Sequence, residues 1–329
     1  MKQLKFEYVW LDGYLPEPCF RSKTKILPLD DYKGELDALP VWSFDGSSTH
    51  QAEGSSSDCL LQPVRVYKDH DREDGYLVLC EVLNADGTPH ISNTRSLFED
   101  DEDLWLGFEQ EYVLSEDGKP CGFPEHGFPA PQGKYYCGVG TGKVTGRQLV
   151  EDHLSQSLKN GIAITGVNAE VMIGQWEFQV FGKGAKKAAD DLLMARYLLE
   201  RTSEKYDCVV DFHPKPVEGD WNGSGLHTNF STALMRNVGG EELMKTICDA
   251  FAHRHAEHIA AYTISDLPVC TRRRILKSSA LASATVGLLS EYLFQYLPTT
   301  GRATWKTGGQ LPMPTRTRWQ QRSLKHLIV

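Results

Sequence analysis

Glu109 and Glu111 stand two residues apart in Gly107-Phe-Glu-Gln-Glu-Tyr112, between the aromatics Phe108 and Tyr112. A strand sends residues i and i+2 to one face, so both carboxylates point the same way. Further along, Glu170 is followed by Gln175, Glu177 and Gln179, which alternate with Trp176 and Phe178. Two large aromatics mark the opposite face of that strand as buried. A third stretch, Asp220-Trp-Asn-Gly-Ser-Gly-Leu-His-Thr-Asn-Phe-Ser231, sets His227 and Asn229 at the same spacing after a Gly-rich turn. A lone Glu-x-Glu pair reads as a solvated strand face, because Glu is seldom buried. Four carboxylates and an imidazole gathered on strand faces are another matter, since like charges in one site repel strongly and call for a cation. An oxygen-rich set with a single nitrogen suits a hard divalent ion such as Mg2+ or Mn2+.

The elements that must carry these residues are legible in outline. Phe6, Tyr8 and Trp10 alternate along a first strand that ends at Asp12-Gly13, a hairpin signal. A short apolar piece from Leu39 to Phe44 and a strand from Tyr76 to Val82 complete a β-rich unit over residues 1–100. The acidic run Glu99-Asp-Asp-Glu-Asp103 reads as its boundary. Residues 122–142 are dense in Gly and Pro, and a loop this long in a compact domain is usually functional. Within it, Gly138-Val-Gly-Thr-Gly-Lys143 is not a Walker loop, because Val144 stands where Ser or Thr is required and no apolar strand precedes it. Helical periodicity runs over 147–160, with Leu149, Val150, His153, Leu154 and Leu158 on one stripe, and again over 186–206 and 241–262. Residues 211–215 read as a strand ended by Pro214, with His213 a surface or satisfied residue. Helices interleaved with strands that carry inward-facing acids give an α+β catalytic region over 101–262.

Composition bounds the function classes. The formal net charge is −9, but residues 263–329 carry ten Lys and Arg against Asp266 and Glu291, a balance of +8. Residues 1–262 therefore hold 25 bases and 42 acids, or −17, which argues against a nucleic-acid-binding surface. Eight cysteines are scattered without a Cys-x-x-Cys pair, so neither a zinc site nor a disulfide framework is indicated. Met1-Lys-Gln-Leu-Lys5 leads straight into a patterned strand rather than a signal peptide, and a reducing cytoplasm is the expected home. Residues 278–297 hold one charge, Glu291, yet their many Ser and Thr break the apolar run that a membrane span needs.

Five segments together carry a specific resemblance: Trp42-Ser-Phe-Asp-Gly-Ser-Ser-Thr49, Phe108-Glu-Gln-Glu-Tyr112, Asn168-Ala-Glu-Val171 with Gln175-Trp-Glu-Phe178, Trp221-Asn-Gly-Ser-Gly225, and His227-Thr-Asn-Phe-Ser231. In this order, from about Phe6 to Tyr262, the chain resembles glutamine synthetases of the eukaryotic-like type II class. The resemblance implies a small N-terminal β-grasp domain, a larger catalytic domain with an antiparallel sheet and flanking helices, and ATP-dependent ligation of ammonia to glutamate through γ-glutamyl phosphate. Matched motif by motif, it implies that Glu111, Glu170 and Glu177 hold one divalent metal, and that Glu109 and His227 belong to a second. It likewise implies that Asp220, Trp221, Asn222 and Gly223 face glutamate, while Glu109, Glu177, Gln179, Asn229, Phe230 and Ser231 belong to the ATP site. Asp45 and Asp58 fall where the family holds ammonium, and their presence favours ammonia over other amines. In the family they serve a neighbouring subunit within two stacked pentameric rings, so the resemblance implies a homo-oligomer whose partners are glutamate, ammonia and ATP.

After His258-Ile-Ala-Ala-Tyr262 the family's remaining segments, which supply a further metal-binding Glu and substrate-holding arginines, are not recognisable. Read one base out of frame, the codons for residues 265–273, 279–293 and 302–317 permit those segments in order, and the swing to +8 fits out-of-frame translation. The expectation is a one-base frameshift close to Tyr262. The alternative is a catalytically defective homologue, retaining nucleotide or metal binding or an assembly role, with 263–329 a genuine tail.

Overall fold

Alternation of apolar residues builds two separate sheets, and the architecture of the computed structural model, which describes residues 1–15 and 18–254, is α+β. The chain divides into two units. The first comprises Met1–Asp100, Glu151–Ala163 and Ala189–Arg201, and the second Asp101–Val150, Ile164–Ala188 and the described chain from Thr202 on.

The first unit is built on β1 (Gln3–Leu11), β2 (Phe20–Pro28), β3 (Trp42–Asp45), β4 (Asp58–Asp69) and β5 (Gly75–Asn84), in the order β2-β1-β5-β4-β3. Only the central pair β1 and β5 is parallel. Phe6, Tyr8 and Trp10 fall on one face of β1 and enter a core with Leu61, Val78 and Val82. Two of these strands escape the sequence reading, which finds β1, β3 and β5. β2 sets Ser22 and Thr24 on an exposed face and Lys23 and Lys25 on the other, with no apolar alternation there, and β4 carries Pro63. Proline is tolerated there because the β4–β5 register shifts between Pro63 and Arg65, and a bulge needs no N–H from that residue.

The helix α1 spans Arg147–Lys159. Its buried stripe is Leu149, Val150, His153 and Ser157, whereas Leu158 is 52% exposed, contrary to the stripe expected from sequence. At 100° per residue, position 157 returns to within about 20° of Val150 and position 158 overshoots it, so the small hydroxyl rather than the leucine faces inward. The longer helix α2 spans Ala185–Ser203. Its Asp190 is 1% exposed and is clamped by Arg65 and Arg95, each at 2.9 Å, while Asp191 accepts a hydrogen bond from Tyr67 at 2.9 Å.

The second unit is organised around β6 (Trp105–Glu116), followed by β7 (Lys119–Pro120), β8 (Ile164–Ala169), β9 (Gln175–Lys183), β10 (Val209–Asp211) and β11 (Leu226–Ser231), with α3 (Ala233–Asn237) and α4 (Glu241–His253) after them. All pairings in this sheet are antiparallel. Leu106, Phe108 and Tyr112 on β6 and Trp176 and Phe178 on β9 are all buried, with Tyr112 and Phe178 at 6.0 Å between ring centroids. Each such side chain is worth about 2 kcal/mol when removed from water, and together they fix which face of the sheet remains for polar work. The strand expected over 211–215 does not form: β10 lies before it and ends at Asp211. The Asp211 carboxylate accepts the His213 N–H at 2.7 Å and turns the chain there, so His213 is a turn residue whose Nδ1 accepts the Lys215 N–H at 3.0 Å. The Gly/Pro-rich loop holds no regular element between β7 and α1. Among the described residues no helix is long and apolar enough to cross a membrane. The continuation of the last helix to residue 262 and the segment 263–329 lie outside the described residues.

Candidate active site

Register turns the period-two pattern into a site. Across β6 and β9, Glu111 sits opposite Glu177 and Glu109 opposite Gln179, and across β6 and β11, His227 sits opposite Glu109. Directly paired residues share a face, so Glu109, Glu111, Glu177, Gln179 and His227 form one polar surface above the aromatic side of the sheet. Glu170 reaches it differently. It lies just past the end of β8, in a turn closed by Glu170 N–H to the Gln175 carbonyl at 2.8 Å and Gln175 N–H to the Met172 carbonyl at 3.0 Å. The strand placement expected for Glu170 is therefore replaced by a turn.

Ligand atoms of Glu111, Glu170 and Glu177 lie within 4.8 Å of one another. That is about the span across a single cation with metal–oxygen bonds of roughly 2.1–2.5 Å. Glu170 and Glu177 are each 6% exposed. Burial, then the charge of Glu111, pushes the Glu170 carboxyl up to about 7; burial, with the charges of Glu109 and Glu170, does the same to Glu177 against a hydrogen bond from Gln179. These carboxyls are thus held where they readily take up a positive charge, as protons or as a metal. Glu109 differs: burial would raise it, but the hydrogen bond and charge of His227 and the hydrogen bond from Asn229 outweigh that and hold it below its ordinary value. Its oxygens are 3.2 Å from His227 Nδ1 and 2.7 Å from Asn229 Nδ2. The donor set, carboxylate oxygens with one imidazole, fits hard divalent cations.

Neighbouring groups hold this arrangement, of which Asn168 and Gly225 had no role in the sequence reading and Gln179 was expected in the ATP site. Asn168 donates to Glu170 at 2.9 Å, Gln179 to Glu177 at 2.8 Å, and the Gly225 N–H to Glu111 at 2.6 Å. Tyr136, from the Gly/Pro-rich loop, has its phenol raised by burial, by Cys137, and by the charges of Glu170 and Glu177, within whose electrostatic range it lies. Nothing in the local pattern around Tyr136 signals this, because the loop has no period.

The segment Asp220–Gly223 is gripped from two sides. Gln132 donates to the Asp220 carbonyl and accepts the Asn222 N–H, both at 3.0 Å. Gln175 accepts from Asn222 Nδ2 at 3.1 Å and donates to the Gly223 carbonyl at 2.9 Å. Trp221 packs against Phe123 and Phe128, with centroids at 5.1 and 5.8 Å. On β11, Phe230 packs against Phe251 at 5.6 Å, and the Ser231 carbonyl accepts from Arg236 at 2.5 Å.

Asp45 and Asp58 belong to the first unit, where they face each other across β3 and β4. Asp45 is exposed and accepts hydrogen bonds from Ser47 and Ser48, which hold its carboxyl at about 2. It is therefore an ionised surface group.

Comparison with known proteins agrees with these motifs. A family model described as the catalytic domain of glutamine synthetase matches residues 94–252. A glutamine synthetase of Bradyrhizobium diazoefficiens is 54% identical over 266 residues, covering 80% of this chain and 77% of the relative. Another from Streptomyces viridochromogenes is 55% identical over 239 residues, covering 70% of this chain and 69% of the relative. Among solved structures, the Plasmodium falciparum glutamine synthetase matches the fold with a TM-score of 0.61 at 15% identity, over 80% of this chain and 58% of that one.

Proposed function

Since the chain belongs to the glutamine synthetase family, we propose that its second unit carries a two-metal active site for joining ammonia to the side-chain carboxyl of L-glutamate at the expense of ATP. The family is one of glutamate–ammonia ligases that use ATP and a divalent metal, and its substrates are small molecules. The observation that carries the reading is the convergence of Glu111, Glu170 and Glu177 within 4.8 Å, next to the Glu109–His227 pair.

In this reading Glu111, Glu170 and Glu177 hold one Mg2+ or Mn2+, and Glu109 and His227 contribute to a second. Bound divalent cations neutralise the triphosphate and the γ-carboxylate, two anions that otherwise repel, and stabilise the transferring phosphoryl group. The protein's own residues do the positioning. Asn222 and Gly223, gripped by Gln132 and Gln175, present the glutamate-facing segment, while Gln179 and Asn229, bonded to Glu177 and Glu109, would face ATP, with Phe230 and Ser231 next along β11. Fixed groups of this kind cost no reorganisation when charge develops, which is why electrostatic preorganisation is usually the largest catalytic term.

Asp45, already ionised, and Asp58 would attract ammonium and take its proton, from a neighbouring subunit in a type II ring assembly located in the cytoplasm. The test is a Mn2+ titration of the full chain, with glutamate- and ammonium-dependent phosphate release from ATP as the second readout. Saturable Mn2+ binding that is lost in Glu170→Gln is expected. Equal binding by both proteins overturns the assignment.

A further inference from the structure

Next to the turn that follows Glu170, two thiols meet. Cys121, just after β7, and Cys208, just before β10, have their sulfurs 3.9 Å apart, within hydrogen-bond reach, and both are buried. They flank the far end of β6, where Ser115 pairs with both Pro120 and Val209. The pair is polarised: a hydrogen bond from Cys121 holds the Cys208 thiol below its ordinary value, and the same bond, followed by burial, raises Cys121. Cys208 is thus the more readily ionised thiol of the two.

Cys121 also lies against the turn that delivers Glu170. Gly174 has φ +82, and a Cβ placed on it would lie 2.5 Å from the Cys121 carbonyl oxygen, so the two backbones are in direct contact. Leu114 ties them further, accepting the Cys121 N–H at 2.7 Å and donating to the Gly174 carbonyl at 2.9 Å. On the neighbouring residues, a Cβ at Gly122 would meet the Ile173 side chain at 2.8 Å. There is no slack between Cys121–Gly122 and Ile173–Gly174.

We propose that Cys121 and Cys208 are a redox-active dithiol whose closure to a disulfide displaces the turn from Glu170 to Gln175 and so weakens cation binding at the carboxylate site. The oxidant is a small peroxide. The Cys208 thiolate attacks one peroxide oxygen, giving a sulfenic acid and hydroxide. The Cys121 sulfur then displaces the sulfenic oxygen, which takes up the Cys121 proton and leaves as water. Once the protons are counted, two thiols and one hydrogen peroxide give one disulfide and two waters. The sulfurs must approach from 3.9 Å to a bond of about 2.05 Å, and with the backbones in contact that shift passes to Gly174. The dithiol itself needs no bound metal, whereas its effect on cation binding rests on the reading of Glu111, Glu170 and Glu177 as metal ligands.

The experiment treats the full chain with stoichiometric hydrogen peroxide, maps crosslinked peptides, follows hydrogen exchange in peptides covering 170–175, and titrates Mn2+ before and after reduction with dithiothreitol. Expected are a Cys121–Cys208 crosslink, faster exchange in the turn, and a Mn2+ affinity about tenfold weaker or more, all reversed by the reductant and absent in Cys208→Ser and in Cys121→Ser. No crosslink between these two residues overturns the proposal, as does a crosslink that leaves turn exchange unchanged. If the reduced chain binds no Mn2+, the metal assignment fails, and crosslink and exchange still decide the dithiol.

Discussion

Both units bury carboxylates, and they neutralise them by opposite means. In the first unit Asp190 lies between Arg65 and Arg95, and Glu7 receives hydrogen bonds from Ser22 and Tyr197 beside Arg72. Burial alone would raise Glu7, but those hydrogen bonds and the Arg72 charge outweigh it and hold the carboxyl below its ordinary value. In the second unit Glu170 and Glu177 are packed with further carboxylates, amide side chains and one imidazole, and both are raised to about 7. A buried acid supplied with its own guanidinium completes its charge balance on folding. One supplied, among the described residues, with more acids does not, and a bound cation would complete it. On the proposed reading, the contrast separates a structural carboxylate from a metal-holding one.

The largest effect that would sharpen this contrast is on stability. Replacing Arg95 with Met strips one cation from buried Asp190 and should cost about 3 kcal/mol in urea unfolding. Mn2+ affinity should stay unchanged. Glu170→Gln should do the reverse, weakening Mn2+ binding by about a hundredfold in a titration while leaving unfolding without metal unchanged or slightly improved, because a repelling charge is removed. If both variants lose stability and affinity alike, the two carboxylate groups are not distinct in kind.

Next in size is Gly174→Ala. Its positive φ and the contact with Cys121 predict about 2 kcal/mol of destabilisation, read from the urea midpoint, with weaker Mn2+ binding alongside.

The smallest effect is on pH dependence. The folded chain holds protons on Glu170 and Glu177 up to about pH 7, whereas the ordinary Glu value is 4.5. Without metal these groups therefore add stability as pH falls from about 7 toward 4.5 and remove it as pH rises through that window. Mn2+ must displace those protons, so its affinity should rise, by about tenfold, between pH 6 and pH 8. Melting curves at a series of pH values, with and without Mn2+, measure both. A metal-free chain that gains stability across pH 5 to 7 would contradict the raised values.

A test of the reading frame stands apart from these. Sequencing the codons for residues 258–273 decides between a frameshifted family terminus, with its further substrate-holding groups, and a genuine tail over 263–329.

Local alternation was enough to put Glu109 with Glu111, Glu177 with Gln179, and His227 with Asn229 on single faces, because the strand period is a property of the backbone alone. Gly and Pro density likewise marked the loop from which Gln132 and Tyr136 come. The sequence also carried the family, since its motifs are long and in order. What the chain could not state locally was register. That Glu111 faces Glu177 and His227 faces Glu109 depends on pairing between segments tens of residues apart, and a one-residue slip would send each set to the opposite face. Glu170 arriving from a turn and the amides that orient the carboxylates were decided in the same way. Each depends on which distant backbone or side chain lies within about 3 Å, a distance that only the folded chain sets.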